Sequence, residues 1–283
     1  MFAVKGYRAQ KRLKLAVTYV VLAIFVVVVA FPLYWNILTS LRTPKDVYTL
    51  QGMLMPRNLT LANYIKLFDG TPMLSWIGNT LLVTGVTTFG SLVVAIFAAY
   101  ALARLRFVGA ETLGKSVLFL YLLPQTLLYI PLFVMLNNMG LLNTRAALYA
   151  TYPTLLLPFI TWLLIGYFKS LPEELEDAAR IDGCTRLGVL YRIVLPLAAP
   201  GIVTAAVFSA TNAWNEFLYA LVFIQSDGLW TVQVGLRSFQ LADTMLWGLT
   251  MAGAVTTTVP PVLLYMLLQR FVVGGLTAGA VKG

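Results

Sequence analysis

The sequence predicts an all-α polytopic membrane protein, with six transmembrane helices and a helical loop facing the cytoplasm between spans 4 and 5. Three observations predict it. The 283 residues are 59% hydrophobic and 11% charged, with mean hydropathy +0.82, whereas soluble chains carry about 25% charged residues. Six stretches are long and apolar enough to cross the roughly 30 Å hydrocarbon core, which takes about 20 residues as helix. The basic residues fall unequally on the two sides that those spans define.

The elements follow in order. Residues 1–14 form a basic segment carrying Lys5, Arg8, Lys11, Arg12 and Lys14, and the membrane domain occupies 15–283. Span 1, Leu15–Leu38, has no charge up to Tyr34 and outlasts the roughly 7 to 15 residue core of a signal peptide, so it is expected to be retained. Spans 2 to 4 are placed at Trp76–Leu102, Val117–Asn137 and Ala147–Phe168, and spans 5 and 6 at Gly201–Ile224 and Trp247–Val272. With the N-terminus inside, fourteen of the 20 basic residues face the cytoplasm. Arg42, Lys45, Arg57, Lys66, Arg145 and Arg237 remain outside, so both termini are expected to be cytoplasmic. The net charge of +9 is then topological, and no basic stripe interleaved with aromatics points to nucleic acid. The absence of His and the single Cys184 remove histidine-based catalysis and His/Cys metal sites.

GAETLGKS, Gly109–Ser116, fits the phosphate-loop pattern G-x-x-x-x-G-K-[ST]. That motif works where a strand delivers a glycine turn to a helix N-terminus. Here a span and its basic flank precede it, and another span follows. It is read as a chance match, with Gly109 and Gly114 forming a turn and Lys115 anchoring the inner side.

The loop from Lys169 to Gly201 reads as helix, turn, helix and stop. Ser170 and Glu173 have capping-box spacing, and Pro172, Glu173, Glu174, Glu176 and Asp177 suit a helix start. Leu175, Ala178, Ala179 and Asp182 are expected to turn small side chains one way. Gly183 supplies the left-handed residue that ends the helix. Thr185 starts a second helix with an apolar stripe of Leu187, Leu190, Tyr191 and Val194, which Pro196 ends. A DNA-binding helix-turn-helix would need a free recognition helix, but both ends of this loop enter the bilayer. An amphipathic hairpin lying on the membrane and a docking element for a cytoplasmic partner both remain open on these residues.

Asp177-Ala178-Ala179, three residues, Gly183, nine residues and Ile193-Val194-Leu195-Pro196 resemble the E-A-A, three, G, nine, I-x-L-P loop of ABC importer membrane subunits. The family's Glu is Asp177 here, beside Glu176. Thr39–Val47, Asn58–Phe68, Ala98–Phe107 and Asn212–Leu221 look like recurring segments of the carbohydrate-uptake branch, as in the second permease subunit of maltose/trehalose-type systems. The resemblance implies a non-catalytic permease whose loop docks on a separate ATPase through Glu174, Glu176, Asp177, Ala178, Ala179, Asp182, Gly183, Leu195 and Pro196. It implies that no cofactor is bound by this chain, ATP and Mg being held by that ATPase. The implied partners are a second permease subunit, an ATPase dimer, an extracytoplasmic solute-binding protein meeting loops 41–75 and 225–245, the bilayer and a sugar.

A sugar crossing lipid needs a protein-lined path, since unreplaced hydration costs several kcal/mol per hydroxyl. Glu216 is the acid placed inside a span, at a cost of about 2.5 to 3.5 kcal/mol unless it is partnered. With Asn212, Trp214 and Asn215 it lines either the translocation path or a subunit interface. Pro124, Pro131, Pro153, Pro158, Pro260 and Pro261 are read as fixed bends rather than hinges. Thr256, Thr257 and Thr258 suit close helix packing, and Cys184 is read as a small packing residue. A secondary transporter or channel would need further intramembrane ionisable residues or a filter loop.

Overall fold

In lipid a backbone must close its hydrogen bonds within each segment, so long apolar runs become helices. The computed structural model describes residues 2–47, 58–105, 107–240 and 246–278. Arg57, Arg106 and Lys282, and parts of loops 41–75 and 225–245, lie outside the described residues. Among them the longer elements are all helices. In chain order these are α1 (Phe2–Ser40), α2 (Ala62–Gly70), α3 (Met73–Arg104), α4 (Ala110–Leu122), α5 (Tyr129–Asn138) and α6 (Arg145–Lys169). They continue as α7 (Glu173–Ile181), α8 (Arg186–Leu197), α9 (Ala199–Asn215), α10 (Leu218–Phe223), α11 (Val232–Ser238) and α12 (Trp247–Ala278).

Among the described residues four helical stretches are unbroken and apolar enough to cross a membrane, namely Leu13–Ser40, Met73–Arg104, Arg145–Ser170 and Trp247–Arg270. Two bent pairs, Ala110–Leu122 with Gln125–Asn138 and Arg186–Leu197 with Ala199–Asn215, raise the number to as many as six if each is one span. One correction to the expected spans lies within the first pair, and another lies just after the second. Span 3, expected to be continuous over Val117–Asn137, bends by 86° between α4 and the following helical segment. Pro124 has no N–H to give and forces Leu123 into extended backbone at φ −69, ψ 139, as residues before proline prefer. Span 5, expected over Gly201–Ile224, runs helically only to Asn215 before the chain breaks at Glu216 and Phe217. The other intrahelical prolines, Pro153, Pro158, Pro260 and Pro261, stay inside continuous helices.

The chain divides into two compact units, Met1–Thr71 with Phe239–Thr256, and Pro72–Ser238 with Thr257–Gly283. In the first, the buried Asn63 amide donates to the carbonyls of Ser40 and Arg42, both at 2.8 Å, and so pins the end of α1 to α2. Upstream of that pin, α1 is uncovered: from Leu13 to Tyr34 every residue is exposed. In the second unit, α3 buries Val83, Thr87, Ser91, Ala95 and Ala99. These recur every fourth residue, so one mostly small-residue stripe lets α6 approach closely. Gly201 at the start of α9 is pressed against the Tyr167 ring of α6, where a Cβ would stand 2.5 Å away.

Candidate functional site

The first candidate site is the hairpin α7–α8. Helix α7 ends on Asp182, where the Gly183 N–H donates to the Arg180 carbonyl at 3.1 Å and the Cys184 N–H to the Ala179 carbonyl at 2.9 Å. This paired closure requires a left-handed residue, and Gly183 has φ +87. Thr185 then caps α8 as expected, its hydroxyl accepting the Gly188 N–H at 3.1 Å.

Three other details of the hairpin differ from expectation. Ser170 and Glu173 form no capping box: the Ser170 hydroxyl donates to the Tyr167 carbonyl at 2.7 Å, and Pro172 occupies the cap position. The preceding helix therefore consumes the hydroxyl before α7 begins. Pro196 does not end α8, which runs on to Leu197 and turns at Ala198 into α9, a bend of 78°. Proline offers no N–H to the Arg192 carbonyl, and just before it the helix widens to a π-turn over Leu190–Val194. Ala178 and Ala179 also do not share a face, because adjacent helical positions are about 100° apart. Ala179 is buried with Glu176, whereas Glu174, Asp177, Ala178, Asp182, Gly183 and Pro196 are exposed and Leu195 is half-buried.

The hairpin therefore has two faces. Its inner face, Ala179, Val189, Leu190 and Val194, joins a core with Ala95, Ala99, Tyr100, Ile160, Leu164 and Phe168, and Cys184 packs against it. Its outer face carries Glu174, Asp177 and Asp182 together with Ile181, 87% exposed, and Leu187. The exposed isoleucine was not singled out in the sequence, although its place just before the turn glycine holds it on the bend.

Arg104, read from sequence only as an inner-side basic residue, ties the hairpin to α3. Its Nε donates to Glu176 Oε1 at 2.6 Å, Nη2 to the Leu171 carbonyl at 2.8 Å and Nη1 to Glu173 at 3.5 Å. The Tyr100 hydroxyl donates to Glu176 Oε2 at 3.3 Å. A cavity of about 560 Å³ opens beside this cluster, lined also by Asp177, Arg180 and Arg186.

The second candidate site surrounds the break in span 5. Both Glu216 carboxylate oxygens accept backbone N–H groups, from Tyr219 at 2.8 Å and Ala220 at 3.2 Å, and so start α10. A side chain has taken over the role of the preceding carbonyls, which is why the helix stops there. The Asn212 and Asn215 amides donate back to the Phe208 and Thr211 carbonyls, both at 2.9 Å, leaving their oxygens free to accept. Asn212, Asn215 and Glu216 line a cavity of about 320 Å³ with Tyr121, Gln125, Tyr152, Phe208 and Phe217. The buried Tyr152 hydroxyl lies in the field of Glu216 without a hydrogen bond of good geometry. Trp214 does not join this lining: it is buried on the other side of α9, its Nε1 donating to the Thr257 carbonyl at 3.2 Å. Position 214 stands between two cavity-facing asparagines too far around the helix to face the same way. Gln125 and the two tyrosines come from the bend in span 3 and from α6, and nothing in local sequence ties them to Glu216.

The phosphate-loop match is absorbed by a helix. Gly109, at φ +91, precedes α4, and 110–116, Gly114 included, lie inside it. Gly114 is therefore not a turn residue as expected. The Leu113 N–H donates to the Gly109 carbonyl at 2.9 Å, and Lys115 pairs with Glu111 at 2.7 Å, so the motif forms no nest of free amides for a phosphate.

Comparison with known proteins gives a consistent picture. Residues 91–277 match the family described as the inner membrane component of binding-protein-dependent transport systems. The chain is 36% identical over 264 residues to an inner membrane ABC transporter permease protein of Escherichia coli K12, covering 93% of this chain and 94% of that one. It is 35% identical over 276 residues to the trehalose/maltose transport system permease protein of Thermococcus litoralis, covering 96% and 98%. The same fold occurs in the crystal structure of a bacterial ABC transporter involved in import of the acidic polysaccharide alginate, with TM-score 0.80 at 23% identity over 92% of this chain and 97% of that one. This multi-pass membrane chain thus belongs to the inner membrane components of binding-protein-dependent transport systems.

Proposed function

We propose that the chain is one permease subunit of an ATP-driven ABC importer that carries a sugar, with the hairpin α7–α8 docking on a separate ATPase that holds ATP and Mg. The observation that carries this reading is the two-faced hairpin. One side is sealed into the core of α3 and α6, while the other presents Ile181 at the Gly183 turn with Glu174, Asp177, Ala178 and Asp182 around it. An exposed apolar tip with a polar rim is what a protein partner covers. On this reading the hairpin end is cytoplasmic, as the basic-residue distribution favours, and a second permease completes the path.

The Glu216 cavity suits a sugar chemically. Carboxamide and carboxylate oxygens can accept hydroxyl donors, and tyrosine and phenylalanine faces can cover the apolar faces of the ring. The relative named as a trehalose/maltose permease points to the same cargo class. The test is uptake of labelled trehalose and maltose by the chain co-produced with its second permease, ATPase and binding protein. Uptake should require ATP and all four components. Uptake by the chain alone on an ion gradient would overturn the proposal.

A further inference from the structure

Helix α3 ends at Arg104, a basic residue that the docking role does not use and that is buried. Its side chain is 6% exposed and that of Glu176 11%. Burying an ion pair is costly, and well-packed apolar residues often stabilise as much, so such a pair is better suited to fixing geometry than to adding stability. Here the guanidinium reaches two parts of the hairpin, the turn before it through the Leu171 carbonyl and its first helix through Glu176 and Glu173. Of the docking residues, Glu176 and Ala179 share this inner side and Asp177 lines the adjoining cavity, whereas Glu174, Ala178 and Asp182 are exposed. At its other end, α3 is bonded to the segment before α11. The Trp76 Nε1 donates to the Asp227 carbonyl at 3.0 Å, the Asn79 amide to the carbonyls of Gly228 and Trp230 at 2.9 and 3.0 Å, and the Thr80 hydroxyl accepts the Val232 N–H at 2.8 Å.

We propose that Arg104 is a positioning residue that makes α3 move with the hairpin, so that one helix relays ATPase motion to the 227–232 segment. This rests on the ATPase-docking reading above. From Asn79 to Arg104 the rod is about 37 Å long at 1.5 Å per residue, enough to carry displacement from one end to the other without an intermediate hinge. Its bonds go to Glu176, Glu173 and the Leu171 carbonyl and not to the exposed Ile181 tip with Glu174, Ala178 and Asp182, so the loss of Arg104 separates motion from docking.

The experiment uses the full assembled transporter with Arg104→Met, Arg104→Lys and Glu176→Gln, measuring ATPase retention, ATP turnover and sugar carried per ATP. Arg104→Met should keep the ATPase bound and its basal turnover within about twofold, while sugar per ATP and stimulation by the binding protein fall about tenfold. Arg104→Lys, which keeps charge but not the fork, should fall between. Glu176→Gln combined with Arg104→Met should cost no more than Arg104→Met alone, because both remove one linkage. Wild-type sugar per ATP in Arg104→Met would overturn the relay, as would loss of the ATPase from the complex, which would make Arg104 a folding residue only. Absence of ATP-driven uptake in the wild-type assembly would overturn the docking reading and the relay with it, a result distinct from either of these.

Discussion

The two ends of α3 hold their loops by different chemistry. Near Met73, neutral groups bond to backbone: Trp76, Asn79 and Thr80 fasten 227–232, and Asn79 Oδ1 also accepts Arg145 at 2.8 and 3.1 Å. Near Arg104 the main link is a charged pair between two long side chains. Neutral hydrogen bonds weaken steeply as they stretch or bend, whereas Coulomb attraction falls only as the inverse of distance. The first end therefore fixes a single register, and the second keeps the hairpin attached so that it and α3 move together.

The largest expected effect breaks the rigid end. A Cβ at Gly235 would stand 2.2 Å from the Trp76 ring, so Gly235→Val should destabilise by about 3 kcal/mol and lower the unfolding temperature in detergent. Asn79→Leu leaves the Gly228 and Trp230 carbonyls without their donor and should cost about 2 to 3 kcal/mol. At the hairpin, Gly183→Val puts a β-branched residue at φ +87 for about 2 kcal/mol of strain. The protein should still insert while sugar carried per ATP falls, and intact coupling would count against the hairpin. Between the ends, Glu216→Gln removes a charged helix cap worth about 1 kcal/mol; uptake kinetics should change more than assembly does. The smallest effect belongs to Lys115→Ala, within about 0.5 kcal/mol and without change in ATP turnover, since its partner Glu111 is one turn away on an exposed face.

Features decided within a few residues were legible in the sequence. The apolar runs of α1, α3, α6 and α12 are long enough that no tertiary contact is needed to identify them. The Gly183 turn and Thr185 cap follow from what only those residue types do cheaply. What escaped depends on partners far along the chain. Arg104 and Glu176 are 72 residues apart, and a lone arginine beside a span looks the same whether it faces water or a buried carboxylate. Pro124 signalled a bend but not one of 86°. The break at Glu216 was hidden because an acid within an apolar run suggests a ligand site before it suggests a helix cap.

The uncovered first helix carries a consequence of its own. The apolar stretch Leu15–Leu38 has 24 residues, about 36 Å as a helix, against an apolar slab some 6 Å thinner. Such mismatch is relieved by tilting or by local thickening of the lipid, each at a fraction of a kcal/mol per ångström. Bilayers of short-chain and long-chain phospholipids should therefore set different inclinations for this segment, making membrane thickness itself a variable in how the protein is held.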